Sequence, residues 1–237
     1  MPLGGLLAAA GGLVATTAYL DAKLHISKDL GHLSRLKRGE QNLISAIKAK
    51  KASGFFLFQD FARRYSTEPC IWSRQGEFTW EQTYQRVAQY GHYFKHLGVQ
   101  PLQYVGIYMY NAPDFVFIWM GLLSIGAAPA LINYNLASGA LLHCVQISGT
   151  KFLLYDSAPD CVSRVEASAE ELRALGIKPI VVDASFKAEL DKYPTERPGT
   201  NCFEDTSQAL PLALMYTRYV PSTIFPSLPG GTLQEVA

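Results

Sequence analysis

A partial, doubly wound α/β domain with a parallel or mixed sheet, preceded by one apolar N-terminal helix, is what this sequence predicts. Three observations point there. From Tyr104 to Asp183 short apolar runs bounded by turn residues alternate with segments of helical period, which implies parallel strands joined by crossover helices. The 237 residues are 49% hydrophobic and 17% charged, enough for one large domain or two small ones and too apolar for a disordered chain. Residues 1 to 20 carry no charged side chain, and a helix of about 20 residues rises about 30 Å, the thickness of a bilayer core.

The N-terminal run predicts a transmembrane anchor over 1–20, followed by a basic juxtamembrane segment over 21–53. Gly4, Gly5, Gly11, Gly12, Thr16 and Thr17 dilute its leucines, so an interfacial helix or a cleaved signal peptide competes, although a signal peptide needs a basic start that is absent. Residues 21 to 51 hold eight Lys/Arg against three Asp/Glu, a local +5, while 13 basic and 17 acidic residues give −4 from 52 to 237. Because these basic residues all follow the apolar run, the rest of the chain is expected on the cytosolic side. The overall net charge of +1 argues against a nucleic-acid partner, since no basic excess is available to neutralise phosphates. Cys70, Cys144, Cys161 and Cys202 form no close pair and read as buried free thiols.

Leu57, Phe58, Phe61, Ala62 and Tyr65 recur at helical spacing and predict an amphipathic helix. Cys70 to Trp72 and Glu77 to Thr79 read as two short strands around a Ser73–Gly76 turn. Thr79 and Gln82 have the spacing of a capping box, opening a helix whose face is Tyr84, Val87, Gly91, Phe94 and Leu97 and which Gly98 ends. Strands are then predicted over 104–108, 128–132, 151–155 and 179–183. Helices are predicted over 113–124, with Pro113 in the first turn, over 138–147 and over 159–175. Residues 184–208, broken by Pro194, Pro198 and Gly199, predict an irregular connection, and Leu210 to Tyr216 one further strand. Arg218 to Ala237 is Pro-rich and aperiodic, and is expected to be a disordered tail.

No Walker loop and no G-x-G-x-x-G fingerprint occurs. His92 and His96 lie four apart but lack a carboxylate to complete a metal site, so no metal ligand is assigned. Asp156, Asp160 and Asp183 lie near strand ends, where α/β ligands bind, and read as loop acids. Asn133-Tyr134-Asn135 after a strand is expected to organise the next loop rather than touch a ligand. No catalytic residue is assigned.

Several strings then resemble one family. Phe78-Thr79-Trp80-Glu81, His96-Leu97-Gly98-Val99, Val105-Gly106-Ile107 and Asn111-Ala112-Pro113-Asp114-Phe115 resemble the adenylate-forming acyl-CoA synthetases of the AMP-binding superfamily. Gly121 to Ala127, Ile132 to Leu136, Leu141 to Cys144 and Lys151 to Asp156 look most like the very long-chain acyl-CoA synthetase and fatty acid transport protein branch. The resemblance covers about Leu57 to Thr217. It implies ATP-dependent activation of long or very long-chain fatty acids to acyl-CoA, coupled to uptake, with ATP, Mg²⁺ and CoA. It also implies a membrane location with a cytosolic domain, at the endoplasmic reticulum, peroxisome, lipid droplet or plasma membrane. In that family a strand ending Tyr-Thr runs into a Ser/Thr/Gly phosphate loop with a Lys. Here Leu214-Met215-Tyr216-Thr217 matches the strand and Arg218-Tyr219-Val220 departs.

Tyr216 and Thr217 are therefore the residues expected at the entrance of the ATP site. The chain reads as an N-terminal fragment: a partial AMP-binding domain over 54–217 and an aberrant tail over 218–237, inactive alone. Read-through of an intron after Thr217 would account for the tail, and an evolved truncation is the alternative. A non-catalytic membrane-anchored module of lipid metabolism, holding membrane lipid through the basic segment, is the competing function.

Overall fold

The computed structural model describes residues 3–51, 53–199 and 210–216, with side chains from Val14 onward. Thr217, the expected tail over 218–237 and most of the expected connection's end, residues 200–209, lie outside the described residues. Two helices come first, α1 (Leu3–Leu24) and α2 (Ile26–Lys48). His25, with φ 56°, separates them in the left-handed region. The Asp21 carboxylate accepts from the Ser27 backbone N–H at 2.6 Å, and its hydrogen bonds with Ser27 hold it below the usual carboxylate range.

Among the described residues no helix is long and apolar enough to cross a membrane, so the spanning helix expected over 1–20 is not supported. The run does form helix, but its glycines and threonines dilute the leucines, and Asp21 and Lys23 sit in its last turns. The basic segment, expected only as a collar, is the regular helix α2, in which no residue is buried.

The body begins with α3 (Gly54–Arg64), capped by Ser53 Oγ, which accepts from Phe55 N at 3.2 Å. An antiparallel hairpin of β1 (Pro69–Ser73) and β2 (Gly76–Thr79) follows. The capping box at α4 (Trp80–His96) forms as the spacing predicts. Gln82 N donates to Thr79 Oγ1 at 3.2 Å and Thr79 N to Gln82 Oε1 at 2.9 Å. Thereafter come β3 (Tyr104–Tyr108), α5 (Pro113–Ser124), β4 (Ala128–Leu131), α6 (Ser138–Ile147) and β5 (Phe152–Asp156). These are followed by α7 (Pro159–Glu166), α8 (Ala169–Ala174), β6 (Lys178–Val182), α9 (Ala184–Leu190) and β7 (Leu214–Met215).

The five-stranded sheet has the order β6-β5-β3-β4-β7. Every pairing in it is parallel, so the mixed alternative is not realised; the antiparallel pair is the separate hairpin. Strands β4, β5 and β6 are displaced by one residue at one or both ends from the predicted bounds, and three differences are larger. The single helix over 159–175 breaks at Ala167 and Ser168, where Ser168 leaves helical geometry with φ −112°, ψ 15°. The connection from 184 opens with α9, because Asp183 Oδ1 accepts from Phe186 N at 2.7 Å and nucleates a turn. The last strand is only Leu214–Met215, held earlier by Trp119 Nε1 donating to Leu212 O at 2.8 Å.

Alternation along the buried strands feeds two cores. On one face Val105, Ile107, Met109 and Leu154 pack with Val87, Tyr90 and Phe94 of α4 and Phe117, Ile118 and Leu122 of α5. On the other, Tyr108 and Leu153 pack with Leu141 and Val145 of α6, Cys161 and Val165 of α7 and Leu172 of α8. Helices α4 and α5 approach through glycines: a Cβ on Gly121 would lie 2.7 Å from Tyr90 Cβ, and one on Gly91 2.4 Å from Ser124 Oγ. The crossing is close enough for Tyr90 Oη to donate to the buried Asp114 at 2.7 Å. Lys187 of α9 reaches the other oxygen of Asp114 at 2.6 Å, tying α9 to the amino end of α5.

Candidate functional site

In a parallel sheet ligands bind beyond the carboxyl ends of the strands, where neighbouring connections diverge. Here β3 feeds α5 and crosses to β4 on one side, whereas β5 lies on β3's other side and feeds α7 and α8 toward β6. The crevice this opens at the ends of β3 and β5 is filled from within the chain. Tyr110 Oη donates to Asp160 Oδ2 at 2.7 Å, Arg164 meets the same oxygen at 2.9 Å, and Arg164 also donates to Tyr134 O at 2.8 Å. The Tyr110 and Tyr134 rings lie 4.2 Å apart. The Tyr110 hydroxyl, held by the carboxylate, is pushed up to about 12, and the same hydrogen bond, helped by Arg164, holds Asp160 low.

The loop acids are thus structural. Asp156 Oδ1 accepts from Ala158 N at 2.9 Å and so sets the start of α7. Asp183 caps α9. Asn133 Oδ1 accepts from Asn135 N at 2.9 Å, the loop-organising role expected of the Asn-Tyr-Asn string. His92 Nε2 pairs with Glu196 O at 2.9 Å and His96 packs edge-on to Tyr193, so each histidine faces the 191–199 segment. Of the cysteines described, Cys161 is buried, and that burial pushes its thiol up to about 11; Cys70 and Cys144 are half-buried. The network of Tyr110, Asp160 and Arg164 escaped sequence reasoning. Only the i,i+4 spacing of Asp160 and Arg164 hinted at it.

Tyr216 reaches the same edge from the other side. Ala130 pairs with Leu214 and Leu131 with Met215, so β7 runs parallel beside β4 and delivers Tyr216 to the carboxyl ends. Its hydroxyl donates to Cys144 O at 2.7 Å, and burial raises its pKa. The side chain is thereby turned onto α6, which helps to anchor the strand. Thr217 lies outside the described residues.

Phosphate and Mg²⁺ need free cations, loop N–H groups or clustered carboxylates. Among the described residues no group of His, Cys, Asp and Glu could hold a metal ion. Arg164 at this edge is already committed to Asp160 and Tyr134. At this edge, then, the described residues offer neither a metal-holding cluster nor an uncommitted Arg164. Asn111, Asn133 and Ser157 are exposed in the loops that follow β3, β4 and β5.

The comparisons agree with this architecture. A 56% identity over 196 residues links the chain to Isopenicillin N epimerase component 1 of Hapsidospora chrysogena, over 81% of this chain and 32% of that protein. A very long-chain fatty acid transport protein of Cochliobolus heterostrophus is 30% identical over 195 residues, covering 78% of this chain and 29% of the relative. The chain thus spans about a third of these relatives' length. A Mycobacterium tuberculosis fatty acyl CoA synthetase structure superposes with a TM-score of 0.59 at 18% identity, over 72% of this chain and 33% of that one, a likeness of fold. Residues 58–217 match the model of the AMP-binding enzyme family, from Phe58 within α3 to just past β7 and Tyr216. The parallel sheet and its carboxyl edge therefore have a family to go with them: the chain belongs to the AMP-binding enzymes.

Proposed function

We propose that this chain is the N-terminal part of an enzyme that activates a long or very long-chain fatty acid through an acyl-adenylate and transfers it to CoA, using ATP and Mg²⁺. The observation that carries the reading is the parallel docking of β7 on β4, which ends at Tyr216 where the family pattern runs into its phosphate loop. Tyr216 positions that entrance, with Thr217 as the first residue of the loop. Because the chain departs from the family pattern at Arg218, where the phosphate loop would begin, residues 1–237 alone are expected to be inactive. Purified chain with ATP, Mg²⁺, CoA and a long-chain acid is expected to form no acyl-CoA; product above background overturns this. The basic residues of α2 draw the body to an anionic membrane surface, and co-flotation of the chain with vesicles of anionic phospholipid tests that.

The 56% identity to Isopenicillin N epimerase component 1 favours a second reading for the acid that is activated. A thioester acidifies the C–H next to its carbonyl, so activating a carboxyl as a thioester prepares that carbon for epimerisation. On this reading the substrate is isopenicillin N. Disrupting the gene separates the two. Loss of ATP-dependent long-chain acyl-CoA formation in extracts supports the fatty acid, whereas unchanged formation with accumulation of unepimerised isopenicillin N supports the second.

A further inference from the structure

Helix α2 is 23 residues, about 34 Å at 1.5 Å per residue, and among the described residues none covers it enough to bury a side chain. Ile26, Leu30, Leu33, Leu36, Leu43 and Ile44 are each 45% exposed or more, an unusual concentration of apolar surface on one element. Their spacing is a coiled-coil spacing. Ile26, Leu33, Glu40 and Ile47 recur every seven residues, as do Leu30, Lys37 and Ile44, and the two series alternate along one face. Two charged residues, Lys37 and Glu40, interrupt this face at its middle, and among the described residues neither has an ion-pair partner.

The position of those two charges selects the occupant. If a second α2 lies antiparallel on the first with its centre between Lys37 and Glu40, Leu30 meets Ile47 of the partner subunit and Leu33 meets Ile44 of the partner subunit. In the same register Lys37 meets Glu40 of the partner subunit, and Glu40 meets Lys37 of the partner subunit. Leu36 lies beside Leu43 of the partner subunit, and Asp29 falls level with the Lys48–Lys51 end. From Leu30 to Ile47 every layer of the seam is apolar against apolar or plus against minus, and Ile26 lies beyond the paired stretch, level with the chain after Lys48. A parallel pair would instead set Lys37 against Lys37 of the partner subunit and Glu40 against Glu40 of the partner subunit. A lipid surface would take the leucines but would drive Asp29 and Glu40, which share their sector, toward hydrocarbon, where ionised groups are costly.

We propose that α2 is a self-association helix which pairs antiparallel with α2 of a second copy of this chain, its register set by the reciprocal Lys37–Glu40 contacts. A polar pair inside such a seam weakens it somewhat and in return excludes other registers and orientations. This goes beyond the enzymatic reading and holds whichever acid is activated.

The test co-expresses two differently tagged full-length copies, one with Leu33→Cys and the other with Ile44→Cys, and oxidises them. A disulfide-linked pair carrying both tags is expected, at a yield well above that of the chain with only its native cysteines. With Lys37→Glu in both copies that yield should fall about fivefold or more, because like charges then meet twice. Adding Glu40→Lys to both should restore it, since the charges are exchanged but again complementary. Unchanged thermal unfolding of the α/β body shows that the variants are folded. Equal linkage between two Leu33→Cys copies, or indifference of the yield to the charge exchange, overturns the proposal. So does a chain that sediments as a monomer at tens of micromolar yet binds vesicles of anionic phospholipid, which would assign the face to lipid.

Discussion

Helices α2 and α5 both carry many apolar residues, and the protein treats them in opposite ways. Eight positions of the twelve-residue α5 are buried, from Pro113 to Ser124, while α2 buries none of its 23. Apolar content alone does not decide this. What α5 has is a seat: Gly121 lets it close on Tyr90, strands β3 and β4 lie beneath it, and Asp114 at its first turn is held by Tyr90 and Lys187. What α2 has is a seam with charges at its centre and, among the described residues, no ion-pair partner to meet them. Burial follows from matching surfaces, so an apolar stripe without a partner in its own chain is evidence of a partner elsewhere.

The contrast can be broken from the α5 side most forcefully. Leu122 is fully buried, and Leu122→Ala should cost about 3 kcal/mol in urea unfolding through lost burial and the cavity left behind. Gly121→Val should cost about 2 kcal/mol, because its Cβ would stand 2.7 Å from Tyr90 Cβ and 3.2 Å from Val87 O, and the helices would have to separate. Tyr90→Phe removes only the hydroxyl on Asp114 and should cost about 1 kcal/mol, as Lys187 continues to satisfy the carboxylate.

A smaller effect comes from pH. Tyr110 has its ordinary value of 10.0 when unfolded and is raised to about 12 by Asp160 when folded. Its contribution to stability is therefore complete below pH 10 and lost as pH rises toward 12. The unfolding midpoint of the native chain should decline across that window more steeply than that of Tyr110→Phe. On the α2 side, Leu33→Ala should leave the stability of the body within about 0.5 kcal/mol, since that side chain is 60% exposed. A large shift there would show that α2 packs on the body after all and would remove the contrast.

How much could be read in advance divides along the same line. Pro113 to Ser124 was legible end to end because Pro fixes a first turn and the apolar run supplies the period. Thr79 and Gln82 announced the start of α4, because both halves of a capping box lie within one turn. The helix α9 was missed behind a run of Pro and Gly, although Asp183 directly after a strand was its signal. Tyr90, Asp114 and Lys187 were not legible as a group, since nothing local relates residues so far apart. The same holds for the candidate site. Tyr216 was singled out from its string, but that its hydroxyl would turn onto Cys144 rather than outward is decided by how β7 docks.

By itself, then, the sequence determined the parallel α/β order, the caps and strand periods, and the family pattern that stops after Thr217. These are local signals, carried by residues within a turn or two of one another. Only the tertiary structure decided that the crevice between β3 and β5 is closed by Tyr110, Asp160 and Arg164, and that among the described residues none buries α2. The reason is that both depend on which surfaces meet across long stretches of chain, and such meetings are set by complementary shape and charge in three dimensions.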